Sequence, residues 1–228
     1  MPKIIYKIQG ISLGTASSNT RYGRKEDSLL VTLPQESILS GKFTSNKLKA
    51  APVKLAIENL SNSKKAKKVL LINAGNANAA TGSQGMRDVR FYCKEMASDL
   101  NLKKENIIPF STGVIGEAFP VNNYLNAFRE AKSKLSVKNW SKAANAILTT
   151  DTKPKIISKQ VKIEKEIYSI TGFAKGSGMI RPDFATLLSF VFVDAKVNQR
   201  SLNKIHADAL DVSFNAITVD GDTSPNDS

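Results

Sequence analysis

A mixed α/β fold, α+β in arrangement with layered, largely antiparallel sheets and helices, is predicted by three observations. Seven apolar runs have the length of strands, and three segments repeat apolar residues at helical spacing. Two of the strand runs follow each other with almost no spacer, which favours an antiparallel hairpin over a crossover. A meander of antiparallel strands covered by helices is therefore expected in preference to a doubly wound parallel sheet.

Taken in order, the first strand is read in KIIYKI (3–8), the second in DSLLVTL (27–33) and the third in KVLLIN (68–73). A helix follows over residues 85–100, where Val89, Cys93, Met96 and Leu100 recur on one face. ENIIPF (105–110) is the next strand, and Tyr124, Phe128, Ala131 and Leu135 mark a second helix. The hairpin strands PKIISKQVKI (154–163) and EIYSITGFA (166–174) come next, then LLSFVFVDA (187–195). Leu202, Ile205, Ala209 and Val212 repeat the helical pattern, and FNAITVDGDTSPNDS (214–228) reads as a strand entering a polar loop. Because the sequence stops inside that loop, it is expected to be partial.

The 228 residues carry 33 Lys and Arg against 20 Asp and Glu, a net charge of +13, which raises the question of nucleic acid, membrane or anionic small molecules. The lysines concentrate in SNSKKAKKVL, NLKKEN and KQVKIEKEIY, where they flank helices or alternate with apolar residues as solvated faces do. No aromatic residues are interleaved on which bases could stack, so no nucleic-acid partner is expected. The single cysteine, Cys93, lies within a helical pattern and reads as a core residue. No secretory signal or membrane-length apolar window is visible, which points to the cytoplasm.

NAGNANAATGSQG (73–85) stands where a dinucleotide fingerprint would, between a strand and a helix, but Gly75, Gly82 and Gly85 do not have its spacing. It reads instead as a tight loop with positive φ at the glycines and at some asparagines. In PFSTGVIGE (109–117), Ser111, Thr112 and Gly113 follow a strand. A hydroxyl beside a glycine amide is the raw material of an oxyanion hole, though Thr-Gly after a strand is more often a turn. The only histidine, His206, reads as a surface helix residue; no metal-ligand spacing and no Ser-His-Asp elbow accompany it. No cofactor is called for.

Thr186 stands at the mouth of a strand behind a glycine-rich loop, KGSGMIRPDFAT (175–186). A threonine hydroxyl is a poor nucleophile without a base. Cutting the bond between Ala185 and Thr186 would supply one, because an α-amine has a pKa of about 7.7–8.0. Taken on its own, the segment reads more readily as an inward-facing Thr at the start of a strand.

NAGNANAATG, STGVIGE, TTDTKPK, KGSGMIRPDFATLLSF and FNAITVDGDTSPNDS, in this order, resemble the ornithine acetyltransferase family, the bifunctional glutamate N-acetyltransferases of arginine biosynthesis. GRKEDSLLVTLP and GKFTSNKLKAAPV are similar to its opening pattern. The resemblance implies a self-cleaving protein of N-terminal-nucleophile type. Residues 1–185 would form an α chain and 186–228 the start of a β chain, the cut falling between Ala185 and Thr186.

By the same resemblance, Thr186 accepts acetyl from N-acetylornithine and passes it to glutamate, with acetyl-CoA left open as a second donor. Thr112 and Gly113 would form the oxyanion pair, and Thr152, Lys175 and Thr186 would touch substrate. Lys175 fits physically, since an ammonium pairs with a carboxylate. Cleaved α and β chains would assemble as a hetero-oligomer. Arg181, Asp183, Phe184 and Pro225 depart from the family's usual residues, and the family's sequence continues beyond the position of Ser228. The rival expectation is an inactive remnant or interaction protein of the same fold that neither cuts itself nor turns over.

Overall fold

The computed structural model describes residues 2, 4–62, 66–180 and 187–228. Strands β1 (Ser12–Ala16), β2 (Ser28–Leu33), β3 (Lys68–Asn76) and β4 (Ile107–Val114) form one sheet in that order. β1, β2 and β3 pair antiparallel, and β4 joins β3 in parallel. Strands β5 (Lys155–Ile163), β6 (Glu166–Lys175) and β7 (Leu188–Val193) form a second, antiparallel meander. The described helices are α1 (Ala51–Asn62), α2 (Gly82–Asp99), α3 (Val121–Ser133), α4 (Trp140–Ala146) and α5 (Gln199–Asp211).

The first sheet is covered on both faces, and its central strands are accordingly apolar with little alternation: SLLVTL in β2 is buried throughout. On one face Leu30, Val69, Leu71 and Ile107 pack against Val89, Tyr92 and Met96 of α2 and Tyr124 and Phe128 of α3. On the other, Leu29, Val31, Leu70, Ile72 and Phe110 meet Phe173 of β6 and Leu188, Phe190 and Phe192 of β7. Phe110 and Phe190 touch edge to face with ring centres 5.0 Å apart, and Trp140 of α4 closes the same layer against Phe192 at 5.4 Å. Each such ring, fully buried, contributes about 1.5–3 kcal/mol, so the sheet-on-sheet layer is a main source of stability.

The predicted class holds, and four of the five described strand pairs are antiparallel. The parallel β3–β4 pair departs from the expected meander because α2 supplies the crossover that parallel strands require. The β5–β6 hairpin forms as expected, with Ile163 opposite Glu166 and Glu164 in the left-handed region (φ 54°). None of the described helices covers the outer side of its sheet, where Ile157, Val161 and Val191 stand exposed.

Three elements were not anticipated: β1, α1 and α4. Conversely, residues 4–8 of KIIYKI form no strand, and Lys3 lies outside the described residues. FNAITV forms a 3-10 turn at Phe214–Ala216 instead of a strand. On α5 the buried residue is Leu210, while Ile205 and Val212 of the expected apolar face are exposed. Lys68, read as part of a solvated run, is buried at the start of β3, its ammonium donating to the Ala66 carbonyl at 3.3 Å.

Candidate active site

The loop after β3 is built by asparagines that replace missing backbone partners. Asn73 Nδ2 donates to the Asn76 carbonyl (2.8 Å), Asn76 Nδ2 to the Ala118 carbonyl (3.0 Å) and Asn78 Nδ2 to the Gly85 carbonyl (3.0 Å). Gly75, Asn78, Ala80 and Gly82 have positive φ, as expected of a tight loop. Gly85 does not; it lies in α2, where a Cβ would sit 1.9 Å from Thr81 Oγ1. These residues serve the turn into α2.

That turn fixes the end of β4. Thr112 pairs with both Ala74 and Asn76 across a β-bulge, so Ser111, Thr112 and Gly113 belong to the strand and do not follow it, as the sequence had suggested. Gly113 has φ 135°, and a Cβ there would lie 2.2 Å from the Gly75 carbonyl carbon. Only glycine permits this approach. Thr112 is buried, and Ser111 Oγ donates to Asn73 Oδ1 at 2.6 Å.

The last residues of the chain run into this region. Ser224, Asn226 and Asp227 are buried, contrary to the polar loop read from the sequence. Asn226 Nδ2 donates to the Ser111 carbonyl (2.9 Å) and to the Ala77 carbonyl (2.6 Å), which ties the tail to β4. Ser228 N donates to the Leu187 carbonyl at 3.1 Å, and Ser189 N donates to the Ser228 carbonyl at 3.0 Å. The tail therefore bridges the strand carrying Thr112 and Gly113 and the first residues of β7.

Lys175 enters the same place from β6, where it pairs in register with Leu188. Its side chain is buried, with Nζ 3.4 Å from Thr149 Oγ1, and burial lowers its pKa against the opposing pull of Asp151 and Asp227. Burial also works against ionisation of Asp151. The Lys155 ammonium, the Gly176 amide (2.8 Å) and Lys175 outweigh it and hold that carboxyl below its ordinary range. For Asp227 burial wins, and its pKa is pushed up to about 8.

Among the described residues, four buried side-chain polar atoms lack a hydrogen-bond partner. Three of them, Asp151 Oδ2, Asn226 Oδ1 and Asp227 Oδ2, belong to this cluster. Such atoms cost stability wherever they occur, so their concentration here singles this cluster out as the candidate site. Among the described residues no cluster of His, Cys, Asp and Glu could hold a metal ion.

Of the residues picked out by sequence, Thr112, Gly113 and Lys175 are joined through the tail. Thr152 is exposed, next to the buried side chain of Asp151. Ala185 and Thr186 lie outside the described residues, but their chain neighbour Leu187 is the residue to which Ser228 is tied. His206 is half-buried on α5 beside the Ser40 hydroxyl (2.9 Å), and Cys93 is in the core. Asp151, Asn226 and Asp227 were missed. All three fall inside quoted motifs, TTDTKPK and DGDTSPNDS, yet lack the apolar periodicity by which buried positions are recognised.

The sequence pattern of the ArgJ family matches residues 12–228. The arginine biosynthesis bifunctional protein ArgJ of Colwellia psychrerythraea is 43% identical over 237 residues, covering 100% of this chain and 56% of the relative. That of Methylococcus capsulatus is 42% identical over 220 residues, 96% of this chain and 53% of the relative. The chain thus spans about half the length of the curated relatives it matches. The crystal structure of the arginine biosynthesis bifunctional protein ArgJ from Bacillus halodurans superposes with a TM-score of 0.68 at 30% identity, over 77% of this chain and 91% of that one. The ornithine acetyltransferase of Mycobacterium tuberculosis, solved in complex with ornithine, shares the fold: TM-score 0.66 at 24% identity, over 79% and 93%.

Proposed function

The chain belongs to the ArgJ family, and from that premise we propose that it carries the nucleophile half of an acetyl-transfer site whose nucleophile is Thr186. Thr186 Oγ first attacks the Ala185 carbonyl carbon. The peptide C–N bond breaks, the Thr186 nitrogen takes the proton, and an ester links the two pieces. Water opens the ester, leaving a carboxylate on Ala185 and a free α-amine on Thr186.

That amine, with a pKa of about 7.7–8.0, is the proton acceptor a threonine hydroxyl otherwise lacks. In the transfer reaction Oγ attacks the acetyl carbonyl of N-acetylornithine, ornithine departs, and glutamate takes the acetyl group from the threonine ester. The Thr112 hydroxyl and the Gly113 amide stabilise the oxyanion at each stage, a donor of this kind being worth about a hundredfold to a thousandfold in rate. Lys175 pairs with a substrate carboxylate, and exposed Thr152 contacts substrate from the rim. The pieces 1–185 and 186–228 stay together as chains of one assembly.

The observation that carries the proposal is the tether described above. Asn226 holds the carbonyl of Ser111, next to Thr112, while Ser228 holds the carbonyl of Leu187, next to Thr186. Chain length adds support. The solved Bacillus chain is nine-tenths covered by a match to 77% of this chain, whereas the curated relatives are only about half covered. A solved chain about half as long as those relatives is what a cut near residue 186 leaves.

The test is the intact mass of the purified 228-residue chain. Two pieces are expected, one ending at Ala185 and one beginning at Thr186, and Thr186→Ala is expected to stay whole and to transfer no acetyl. A folded wild-type chain that remains uncut would favour the inactive or interaction reading. A Thr186→Ala chain that is still cut would place the nucleophile elsewhere.

A further inference from the structure

We propose that Asp151 is a positioning residue of this site: by accepting the Gly176 amide, its buried side chain fixes the end of β6 so that the Lys175 ammonium is held ready for a substrate carboxylate. This rests on the assignment of Lys175 as a substrate contact and deepens it by naming what holds that lysine in place.

The need for such a residue follows from where the strands stop. β5 begins at Lys155, opposite Ala174, so the residues of β6 beyond Ala174 pair with nothing in β5, while Lys175 still pairs with Leu188 of β7 on the other side. The next residue, Gly176, is buried, and a buried amide requires an acceptor. Asp151 Oδ1 supplies it at 2.8 Å. The Asp151 side chain is fully buried, and the same oxygen accepts from the Lys155 ammonium.

Asp151 belongs to the connection between α4 and β5, which also brings Thr149 Oγ1 to 3.4 Å from Lys175 Nζ and carries Thr152. Two side chains of one loop therefore hold two consecutive residues, Thr149 the ammonium of Lys175 and Asp151 the amide of Gly176. The Gly176 nitrogen lies in the peptide plane that begins at Lys175, so fixing it fixes the direction in which the lysine stem leaves the strand. A lysine stem loses rotamer freedom when it is ordered, and ordering it in advance removes part of that loss from substrate binding. The bond from Gly176 would also serve stability alone, so the deciding measurement is of binding.

The test is the affinity of the purified 228-residue chain for ornithine, which carries the substrate carboxylate but no acetyl group to transfer, measured by titration calorimetry. Lys175→Met is expected to weaken binding at least about tenfold, the loss of a buried charge partner. Asp151→Ala is expected to weaken it about fivefold or more, and in the Lys175→Met background to add no more than about twofold, because it acts through the lysine. Asp151→Asn keeps an acceptor for the Gly176 amide and is expected to stay within about threefold of wild type.

Wild-type affinity in Asp151→Ala overturns the proposal, as does an Asp151→Asn chain as weak as Asp151→Ala. So does a full, additive loss in the double variant, which would make the contribution of Asp151 independent of Lys175. Should Asp151→Ala not fold, hydrogen exchange at the Gly176 amide of the wild type decides, slow exchange being expected and rapid exchange overturning it. A wild type that binds no ornithine, or a Lys175→Met chain that binds it normally, removes Lys175 from substrate contact and this proposal with it. Failure of Asp151 alone appears with both of those controls behaving as expected.

Discussion

The Asn226 side-chain amide donates to the Ser111 carbonyl at 2.9 Å, across 115 positions of sequence. This bond ties the end of the chain to the strand that carries Thr112 and Gly113. Because the same nitrogen also serves the Ala77 carbonyl, truncating Asn226 orphans two buried acceptors at once.

Asn226→Ala is accordingly expected to lower stability by about 2–4 kcal/mol, the cost of leaving two buried groups unpaired. Urea unfolding at fixed pH measures it. The variant should also divide more slowly at Thr186, since the tail would no longer bridge the two halves of the site. A loss below about 0.5 kcal/mol would mean that the bond contributes little.

Gly113→Ala meets two obstacles together, a Cβ placed 2.2 Å from the Gly75 carbonyl carbon and a φ of 135° that side chains avoid. Separation of β3 from β4 at this point is expected to cost about 3 kcal/mol or more, and the displaced amide about a hundredfold in rate. Gly82→Ala is the control: φ is also positive there (59°), but space around the added carbon is open. It should cost only about 1–2 kcal/mol. Paired unfolding curves of the two variants check the difference.

Asp227 makes stability depend on pH in a direction opposite to that of most surface carboxylates. Burial, opposed by Lys175, the Leu187 amide and Ser224, pushes its pKa up from 3.8 to about 8, so the folded chain holds this proton where the unfolded chain has released it. The stability it contributes is fully present below about pH 4 and is lost as pH rises towards about 8. Asp227→Asn removes this dependence. Between pH 5 and pH 8 the wild type should therefore lose stability relative to the variant, seen as a widening gap between urea midpoints. A constant gap would show that this carboxyl ionises normally.

Much of the fold was legible because burial leaves a periodic trace. β2, β3, β4, the β5–β6–β7 meander, α2 and α3 each carry apolar residues at the spacing their geometry demands. Of the three elements missed, β1 and α4 lack that trace, whereas α1 carries it in Val53, Leu55, Ala56 and Leu60. β1, SLGTA, has one large apolar residue, and α4 buries alanines beside a single Trp140. KIIYKI shows the converse, a strand-like pattern with Ile4 exposed and, among the described residues, no partner strand.

By itself the sequence determined the class of fold and the family resemblance and raised Thr112, Gly113, Lys175 and Thr186 as candidates, because residue type and local spacing are properties of short segments. Only the tertiary structure decided that β3 and β4 run parallel, that the polar tail is buried, and that Asp151, Asn226 and Asp227 gather around Lys175. The physical reason is distance along the chain. Hydrogen bonds between residues more than a hundred positions apart, such as Asn226 to Ser111, satisfy polar groups whose burial no local pattern announces.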